Sequence, residues 1–451
     1  MFPFGSVAVD LGASSGRCAA GRLVGERIEF EVIHQAPHEA SEVGGRLVWD
    51  LPSLIAFPER AIEYAKAHFE RATIGIDSWG VDHGFVDRAS GVVMGPPVCY
   101  RDLAHARAMD RLRERWDELF VWTGIQRQPF NPVFQLLARR LEDPALPDRA
   151  DWFILPDLLG YALTGVRHHE LTQASTTQLL GLDGAWCADA FEAIGWPTPE
   201  LAPKAPGRKL AALGDVVDLV SVGSHDTASA VLGFGRLDAT KMFVNVGTWS
   251  LAGTVVAQPI VNAAVKSANL TNERTADGRV RLLKNVPGFY VLNRLHDELG
   301  LASPMAQWVG AADTGFQGRV NLLDEAFFNP TSMADLCREL TTVQPESPGE
   351  WAALGLFSLA DAIAAVPSDL KAATGHDIQE VRLGGGGSQS AKLCQAVADR
   401  TGLPVRAGPP EATVLGNLAA QFMAAGACDG WEGAMRLVEA SAAPILYTPN
   451  A

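Results

Sequence analysis

Over residues 1–90, short apolar β-rich runs alternate with polar turns. Residues 7–10, 17–23 and 27–33 read as three strands, and 73–76 as a fourth. Between them, 51–69 carries a helical pattern, although Pro52 and Pro58 confine its regular part to the later residues. Three strands, a helix and a strand make an α/β module that opens with an antiparallel meander. Further on, 104–119 sets apolar residues at helical spacing among charges, the pattern of a surface helix. Residues 134–141 and 157–163 give shorter helices. A proline-rich linker, Trp196-Pro197-Thr198-Pro199 through Pro206, precedes the apolar run 218–222.

From about residue 240 the pattern restarts. Residues 241–246 form a strand, Gly247-Thr248 a turn, and 250–256 the returning strand. The first half opens the same way, with a glycine turn between its first two strands. This repeat implies two related domains, 1–236 and 237–451, facing each other across a cleft. The second half ends with a strand at 381–383, the glycines Gly384-Gly385-Gly386-Gly387 with Ser388, and a helix at 391–401. A length of 451 residues exceeds what one hydrophobic core usually serves, which agrees with two domains.

Composition narrows the class. A hydrophobic content of 47% rules out disorder. We expect no membrane span, because no run of about 18 apolar residues stands out. Met1-Phe2-Pro3-Phe4-Gly5 lacks a basic region, so no signal peptide is expected. Six dispersed cysteines without a C-x-x-C pair read as reduced, mostly buried thiols of a cytoplasmic protein. A net charge of −15 argues against nucleic acid as a partner. A nucleotide is still allowed, since backbone N–H groups, hydroxyls and a magnesium ion can hold a triphosphate.

Candidate chemistry centres on Gly223-Ser224-His225-Asp226-Thr227-Ala228-Ser229-Ala230, which follows the run 218–222. That places Asp226 at the end of a strand, where a carboxylate can face a cleft, although a lone Asp there usually caps a turn. Asp10-Leu11-Gly12-Ala13-Ser14-Ser15-Gly16-Arg17 is neither a Walker A loop nor a Rossmann fingerprint. Its N–H groups and the Ser14 and Ser15 hydroxyls offer one spot to phosphate oxygens, with Mg²⁺ near Asp10 and Arg17 across the turn. An ordinary hairpin is equally open. The four-glycine run lets a backbone approach a flat ligand closely, or makes a flexible loop. Ile76-Asp77-Ser78-Trp79-Gly80-Val81-Asp82-His83 mixes carboxylates and an indole as carbohydrate sites do; Trp79 in the core and Asp77 capping a turn is the equal alternative. His168-His169-Glu170 reads as a solvated turn, because adjacent side chains do not converge on a metal.

Taken in order, these blocks resemble the FGGY family of carbohydrate kinases. The likeness adds Trp49-Asp50, Tyr100-Arg101-Asp102, Gly247-Thr248-Trp249-Ser250-Leu251 and Asn269-Leu270-Thr271-Asn272-Glu273. It continues through Leu283-Lys284-Asn285, Phe328-Asn329-Pro330, Ala407-Gly408-Pro409-Pro410-Glu411-Ala412-Thr413 and Leu415-Gly416-Asn417. The resemblance implies two actin-like ATPase domains of the Hsp70/hexokinase type, the first holding the sugar and the second ATP. It implies that Asp226 is the catalytic base, and that Gly80, Asp82, His225, Thr227 and Asn285 contact the sugar. The nucleotide falls to Ala13, Ser14, Ser15, Gly16, Arg17, Thr248, Asn293 and Gly386. Asp10 becomes the Mg²⁺ ligand, directly or through water. The chain departs from the pattern where Arg274-Thr275 replaces Gly-Gly, Val286-Pro287-Gly288-Phe289-Tyr290 replaces another apolar stretch, Asn293 replaces a glutamine and His83 replaces an aromatic, and the middle of its second half reads as shortened.

The implied reaction is ATP-dependent phosphorylation of the 1-hydroxyl of a ketose, with L-rhamnulose the first choice and L-fuculose, L-ribulose or D-ribulose as alternatives. A chaperone or filament of the same architecture would need an extra module, and none is evident in the chain. A non-catalytic sugar or nucleotide sensor would be expected to have lost the base, and Asp226 with its neighbours is intact. The oligomeric state is not legible.

Overall fold

The computed structural model describes residues 1–328 and 330–450. Asn329, within the Phe328-Asn329-Pro330 block, lies outside the described residues. The chain divides into two compact units, each an α/β layer around its own sheet. The first comprises Met1–Arg236, Ala257–Arg281 and Thr413–Ser441; the second comprises Leu237–Val256, Leu282–Ala412 and Ala442–Ala451. The chain beyond 237 therefore contributes to both. Hydrogen bonds account for the returning segments: Asn272 Nδ2 donates to Gly124 O at 2.8 Å, and Gln421 Nε2 donates to Val7 O at 3.1 Å.

In the first unit, β1 (Phe2–Leu11), β2 (Ser15–Val24) and β3 (Arg27–Pro37) form the expected antiparallel meander. A hairpin follows, β4 (Ala40–Val43) and β5 (Arg46–Trp49), turning at Gly44 and Gly45 with φ of 59° and 77°. Then come β6 (Phe69–Ser78), the pair β7 (His83–Asp87) and β8 (Ala150–Ile154), and β9 (Arg208–Leu213) with β10 (Val217–Ser221). The main sheet runs β3-β2-β1-β6-β10-β9, and β1, β6 and β10 are parallel to one another. One face of its centre is apolar, with Val7, Val9, Leu11, Ile74 and Ile76 buried in a single core, and the opposite face carries the small or polar residues Ser6, Ala8, Thr73 and Gly75, also buried.

The helix Leu51–His68 starts at Leu51, so the prolines do not shorten it. Pro52 stands in the first turn, where the helix has no use for its N–H, and Pro58 is buried within the helix. The single surface helix read over 104–119 is instead Ala104–Arg111, a turn at Arg113–Arg115, and Trp116–Thr123. Both helices bury residues in one core, Ala104, Ala108 and Leu112 from one side and Leu119 from the other, so the apolar spacing runs through the break unmarked. Asp226 does not sit at a strand end. It is the first residue of the helix Asp226–Gly233, with His225 as N-cap.

In the second unit, β11 (Lys241–Val246) and β12 (Trp249–Val256) form the repeated hairpin. After β13 (Thr271–Arg274), which belongs to the first unit, come β14 (Val280–Pro287), β15 (Glu380–Gly384), β16 (Val405–Ala407) and β17 (Ile445–Tyr447). The order is β14-β12-β11-β15-β16-β17, with β11, β15 and β16 parallel. The helix Pro348–Thr374 opens with a Ser347/Glu350 capping box. By length and a mean hydropathy of 1.4 it could cross a membrane, contrary to the expectation that no such run exists. Burial of 72% of that stretch inside the fold makes it a core helix.

Helix Ala412–Ala424 reaches helix Asp226–Gly233 through a glycine. A Cβ on Gly416 would stand 1.8 Å from Ser229 O and 2.9 Å from Gly233 N. Overpacking of this kind costs about 1–3 kcal/mol. Gly416→Ala should therefore lower the urea midpoint of the first unit and impair turnover through the displaced helix. An unchanged midpoint with full activity would show that the two helices part without penalty.

Candidate active site

The C-terminal ends of β1, β6 and β10 converge, which is where open parallel sheets place ligands. Asp10 and Asp77 are direct register partners on β1 and β6. Ser78 bridges to His225, and Ser78 N donates to Ser224 O at 2.9 Å, so the 224–227 segment lies beside them. Burial pushes the Asp77 carboxyl well above the usual range, and the neighbouring charges of Asp10 and Asp226 push the same way. Asn417 Nδ2 donates to Asp77 Oδ2, and the Asp77 and Asp10 carboxyls are hydrogen-bonded to each other. Asp10 pairs with Arg17, whose Nε lies 3.2 Å from Asp10 Oδ2.

Asp226 is partly open, its side chain 25% exposed. The helix N-terminus it occupies favours a negative charge. Thr227 Oγ1 donates to Asp226 Oδ1 at 3.0 Å, and His225 Nε2 lies 3.4 Å from the same oxygen. Among the described residues none bonds Oδ2. Gly80 fits under the imidazole: a Cβ there would stand 3.1 Å from His225 Nε2. The next residue, Val81, has φ 74°, a left-handed conformation that a β-branched residue adopts only under constraint. Asp82 is fully buried, with Oδ2 accepting the indole N–H of Trp79 at 2.8 Å and of Trp49 at 2.5 Å. Burial, partly offset by those donors, moves its carboxyl up to about 7.

His168-His169-Glu170 is not a solvated turn. All three are buried, and burial holds both imidazoles down at about 3. Glu170 caps the short helix Leu171–Ala174 by accepting from Thr172 N at 2.9 Å and Gln173 N at 3.0 Å. It also accepts from Ser224 Oγ at 2.7 Å, and Thr172 Oγ1 accepts from His225 N at 3.1 Å. Glu170 thus anchors the segment that carries Asp226. Two more residues escaped the sequence reading: Arg281, with no exposed side-chain surface, and Glu273, whose Oε2 lies 2.8 Å from Arg281 Nη2. Both border His225, Arg281 through a hydrogen bond to Nδ1. Glu273 closes a block quoted for the family resemblance, which was the available signal.

The remaining candidates of the first unit scatter. Ser14 is exposed, and Ala13 and Ser15 are half-buried. Gly16 packs into the core, where a Cβ would meet Leu11 at 2.7 Å and Phe57 at 2.8 Å. His83 is uncharged in the core, held down at about 3 by burial and edge-on to Phe85 and Trp152 at 5.3 and 5.8 Å. It fills an aromatic's place there.

The second unit repeats the arrangement. Asn245 of β11 is the register partner of Gly384 on β15, so Gly247-Thr248 and the glycine run sit at adjacent strand ends. Gly385 has φ 70°, and a Cβ on it would stand 2.7 Å from Val246 O; on Gly387 it would stand 2.5 Å from Val246 Cβ. At Gly386 the nearest atom is 3.9 Å away. Helix Phe289–Glu298 docks on the turn through Phe289 N to Gly247 O and Tyr290 N to Thr248 O, both 2.9 Å. Asn293 is exposed on that helix, and Asn285 is half-buried on β14.

This two-sheet architecture matches solved sugar kinases. Xylulose kinase from Lactobacillus acidophilus superposes with a TM-score of 0.82 at 15% identity, covering 99% of this chain and 94% of that one. Residues 242–425 match the model of the FGGY family of carbohydrate kinases, C-terminal domain. A rhamnulokinase from Mannheimia succiniciproducens is 36% identical over 434 residues, covering 92% of this chain and 89% of the relative. One from Yersinia pestis is 35% identical over 441 residues, covering 93% and 90%. The fold is that of a two-domain actin-like sugar kinase. The chain belongs to the FGGY family of carbohydrate kinases. A sugar and ATP are the substrates that membership implies.

The glycine run gives a direct contrast. Gly385→Ala should destabilise the second unit, because a left-handed non-glycine residue alone costs about 1–2 kcal/mol and Val246 O blocks the Cβ. Gly386→Ala should leave the urea midpoint unchanged. Equal losses from both substitutions would mean that the run is needed only for flexibility.

Proposed function

We propose that this chain transfers the γ-phosphoryl of ATP to the 1-hydroxyl of a ketose, with L-rhamnulose as the substrate. The observation that carries it is the half-open Asp226 carboxylate, whose Oδ1 is held by Thr227 while Oδ2 has no partner among the described residues. Oδ2 takes the proton of the substrate hydroxyl. The hydroxyl oxygen then bonds to the γ-phosphorus, the bond to the β–γ bridging oxygen breaks, and ADP leaves with the electron pair. A positioned base contributes typically about 10²–10⁴-fold. Most of the remaining acceleration comes from positioning and charge stabilisation.

Gly80, Asp82, His225 and Thr227 are assigned to the sugar in the first unit, and Asn285 in the second. Thr248, Asn293 and Gly386 are assigned to the nucleotide in the second unit, and the Ala13–Ser14–Ser15–Gly16–Arg17 turn in the first. The open face of Gly386 supports a close ligand approach at that residue. L-rhamnulose rests on the name shared by relatives at 35–36% identity over more than 90% of the chain. The departures at Arg274-Thr275 and at 286–290 flank Asn285, and L-fuculose, L-ribulose and D-ribulose are the substrates to compare.

For Mg²⁺, the acidic pair Asp10 and Asp77 at adjoining strand ends is an all-oxygen donor set that suits a hydrated divalent cation. Among the described residues no three His, Cys, Asp or Glu side chains form a metal cluster, so phosphate and water would complete the shell. When bound, the ion supplies charge neutralisation at the transferring phosphate. Asp10 would hold it, directly or through water.

Asp226→Asn should keep ketose and ATP binding while cutting turnover by about 10²-fold or more. Near-normal turnover on the best ketose, followed by coupled ADP release, would remove Asp226 from the role of base. Thr248→Val should raise the KM for ATP without reordering the sugars, since one charge-assisted hydrogen bond is worth on the order of 1.5–3 kcal/mol. A changed sugar ranking at constant ATP dependence would move this turn to the sugar side.

A further inference from the structure

A buried ion pair stands behind the base, and the reaction as described does not use it. Arg281 and Glu273 are joined at 2.8 Å, the arginine with 0% and the glutamate with 9% of its side chain exposed. Burial works to raise the Glu273 carboxyl, but the Arg281 guanidinium and His225 override it and hold it below the usual range. Removing one partner of such a pair would strand a charge in the interior. The pair points at His225, whose own side chain is 8% exposed.

The imidazole sits between two unlike neighbours. Its Nδ1 is hydrogen-bonded to Arg281 Nη2 and lies 3.4 Å from Glu273 Oε2, while its Nε2 lies 3.4 Å from Asp226 Oδ1. A guanidinium can only donate. A proton on Nδ1 would set donor against donor at the shorter of the two contacts, so Nδ1 must present its lone pair. The imidazole proton then resides on Nε2 and faces Asp226 Oδ1. The opposite tautomer would satisfy Glu273 but turn a lone pair toward the Asp226 carboxylate.

We propose that Arg281, oriented by Glu273, is a positioning residue that fixes the Nε2–H tautomer of His225, so that His225 and Thr227 both donate to Asp226 Oδ1 and leave Oδ2 for the substrate hydroxyl. The proposal rests on the reading of Asp226 as base for its catalytic consequence, and on Arg281, Glu273 and His225 alone for the tautomer. Glu273 acts one step further back. Its carboxylate compensates the buried guanidinium and holds Nη2, the same nitrogen that reaches His225.

The tautomer is directly observable. Full-length protein labelled with [¹⁵N]histidine, with the His225 signals assigned by their loss in His225→Gln, should give a two-bond ¹H–¹⁵N pattern with Nδ1 unprotonated and Nε2 protonated. In Arg281→Met that pattern should give way to the Nδ1–H form, and in Arg281→Lys, which keeps a donor, it should persist. In kinetics, Arg281→Met should lower kcat roughly 10-fold, a part of what a positioned base contributes, with the KM for the ketose nearly unchanged; Arg281→Lys should recover most of the loss.

An Nδ1–H pattern in the unaltered protein overturns the proposal, as does an unchanged pattern in Arg281→Met. A loss confined to the ketose KM overturns it too, because that would make Arg281 a binding residue. Should Arg281→Met fail to fold, the spectrum of the unaltered protein and that of Arg281→Lys still decide. Failure of the two readings is separable. An active Asp226→Asn with the Nε2–H pattern intact removes the base assignment alone. An inactive Asp226→Asn with an Nδ1–H pattern removes the tautomer assignment alone.

Discussion

The parallel register of β1 against β6 is the constraint on which the first unit's chemistry depends. It fixes Asp10 opposite Asp77 at adjoining strand ends, and two carboxylates in that position repel each other in a medium where burial already disfavours charge. The fold answers with a late segment of chain. Asn417 donates to Asp77, and Gln421 Nε2 donates to Asn417 Oδ1 at 2.7 Å. Thr73 Oγ1 then donates to Gln421 Oε1 at 2.7 Å, closing a buried network beneath the sheet. The helix Ala412–Ala424 is therefore bound to the first unit by what Asp77 requires, and it belongs there despite lying hundreds of residues away in sequence.

A second buried network works from the other side of the same segment. Glu170 gathers Thr172, Gln173 and Ser224, while Arg281 brings a cation among acidic groups. Burial pulls the Arg281 guanidinium down, and the charges of Glu273, Asp226 and Glu170 push it back up. Buried pairs of this kind give little net stability against an apolar replacement, yet breaking one by removing a single partner costs about 3–5 kcal/mol. What such a network gives in return is a fixed geometry. His225 and Asp226 sit where backbone and side-chain groups of separate segments agree, and the role proposed for Asp226 would need that agreement more than depth.

Local pattern carried much of the fold. The meander, β11, the glycine hairpin and the helix Ala391–Thr401 follow from periodicity and turn chemistry that act over a few residues. Where the sequence misled, a tertiary partner decided the outcome. His168-His169-Glu170 looks solvated because its charges are visible, whereas Ser224, which satisfies Glu170, lies 54 residues away. The break between Ala104–Arg111 and Trp116–Thr123 is silent because both helices face one core. Asp226 reads from the sequence as a carboxylate at a strand end, whereas it starts a helix that the run of small residues after it hides. Arg281 was invisible for the same long-range reason: nothing near it in sequence indicates a buried guanidinium.

The departures from the family pattern at Arg274, Thr275 and His83 fall on the framework of the first unit. Arg274 donates to Leu182 O, and its backbone N–H is received by Ser175 Oγ at 2.8 Å. It therefore ties its strand to the Glu170–Thr177 stretch, the same stretch whose Thr172 holds His225. Thr275 Oγ1 turns to Asp277. His83 remains an uncharged ring among Phe85 and Trp152. These three residues work on the framework, setting the position of the 224–227 segment and the packing under it. For the proposed reaction, selection among ketoses would then fall to polar groups, because a site built to pair with a hydroxyl rejects a sugar lacking it far more strongly than a shape difference can. Asp82, assigned to the sugar in the proposal, is fully buried with Oδ2 held by the indoles of Trp49 and Trp79. Burial moves its carboxyl up to about 7 while the two indoles and the Arg101 charge pull it back, so the framework that holds Asp82 in place also governs how readily it ionises.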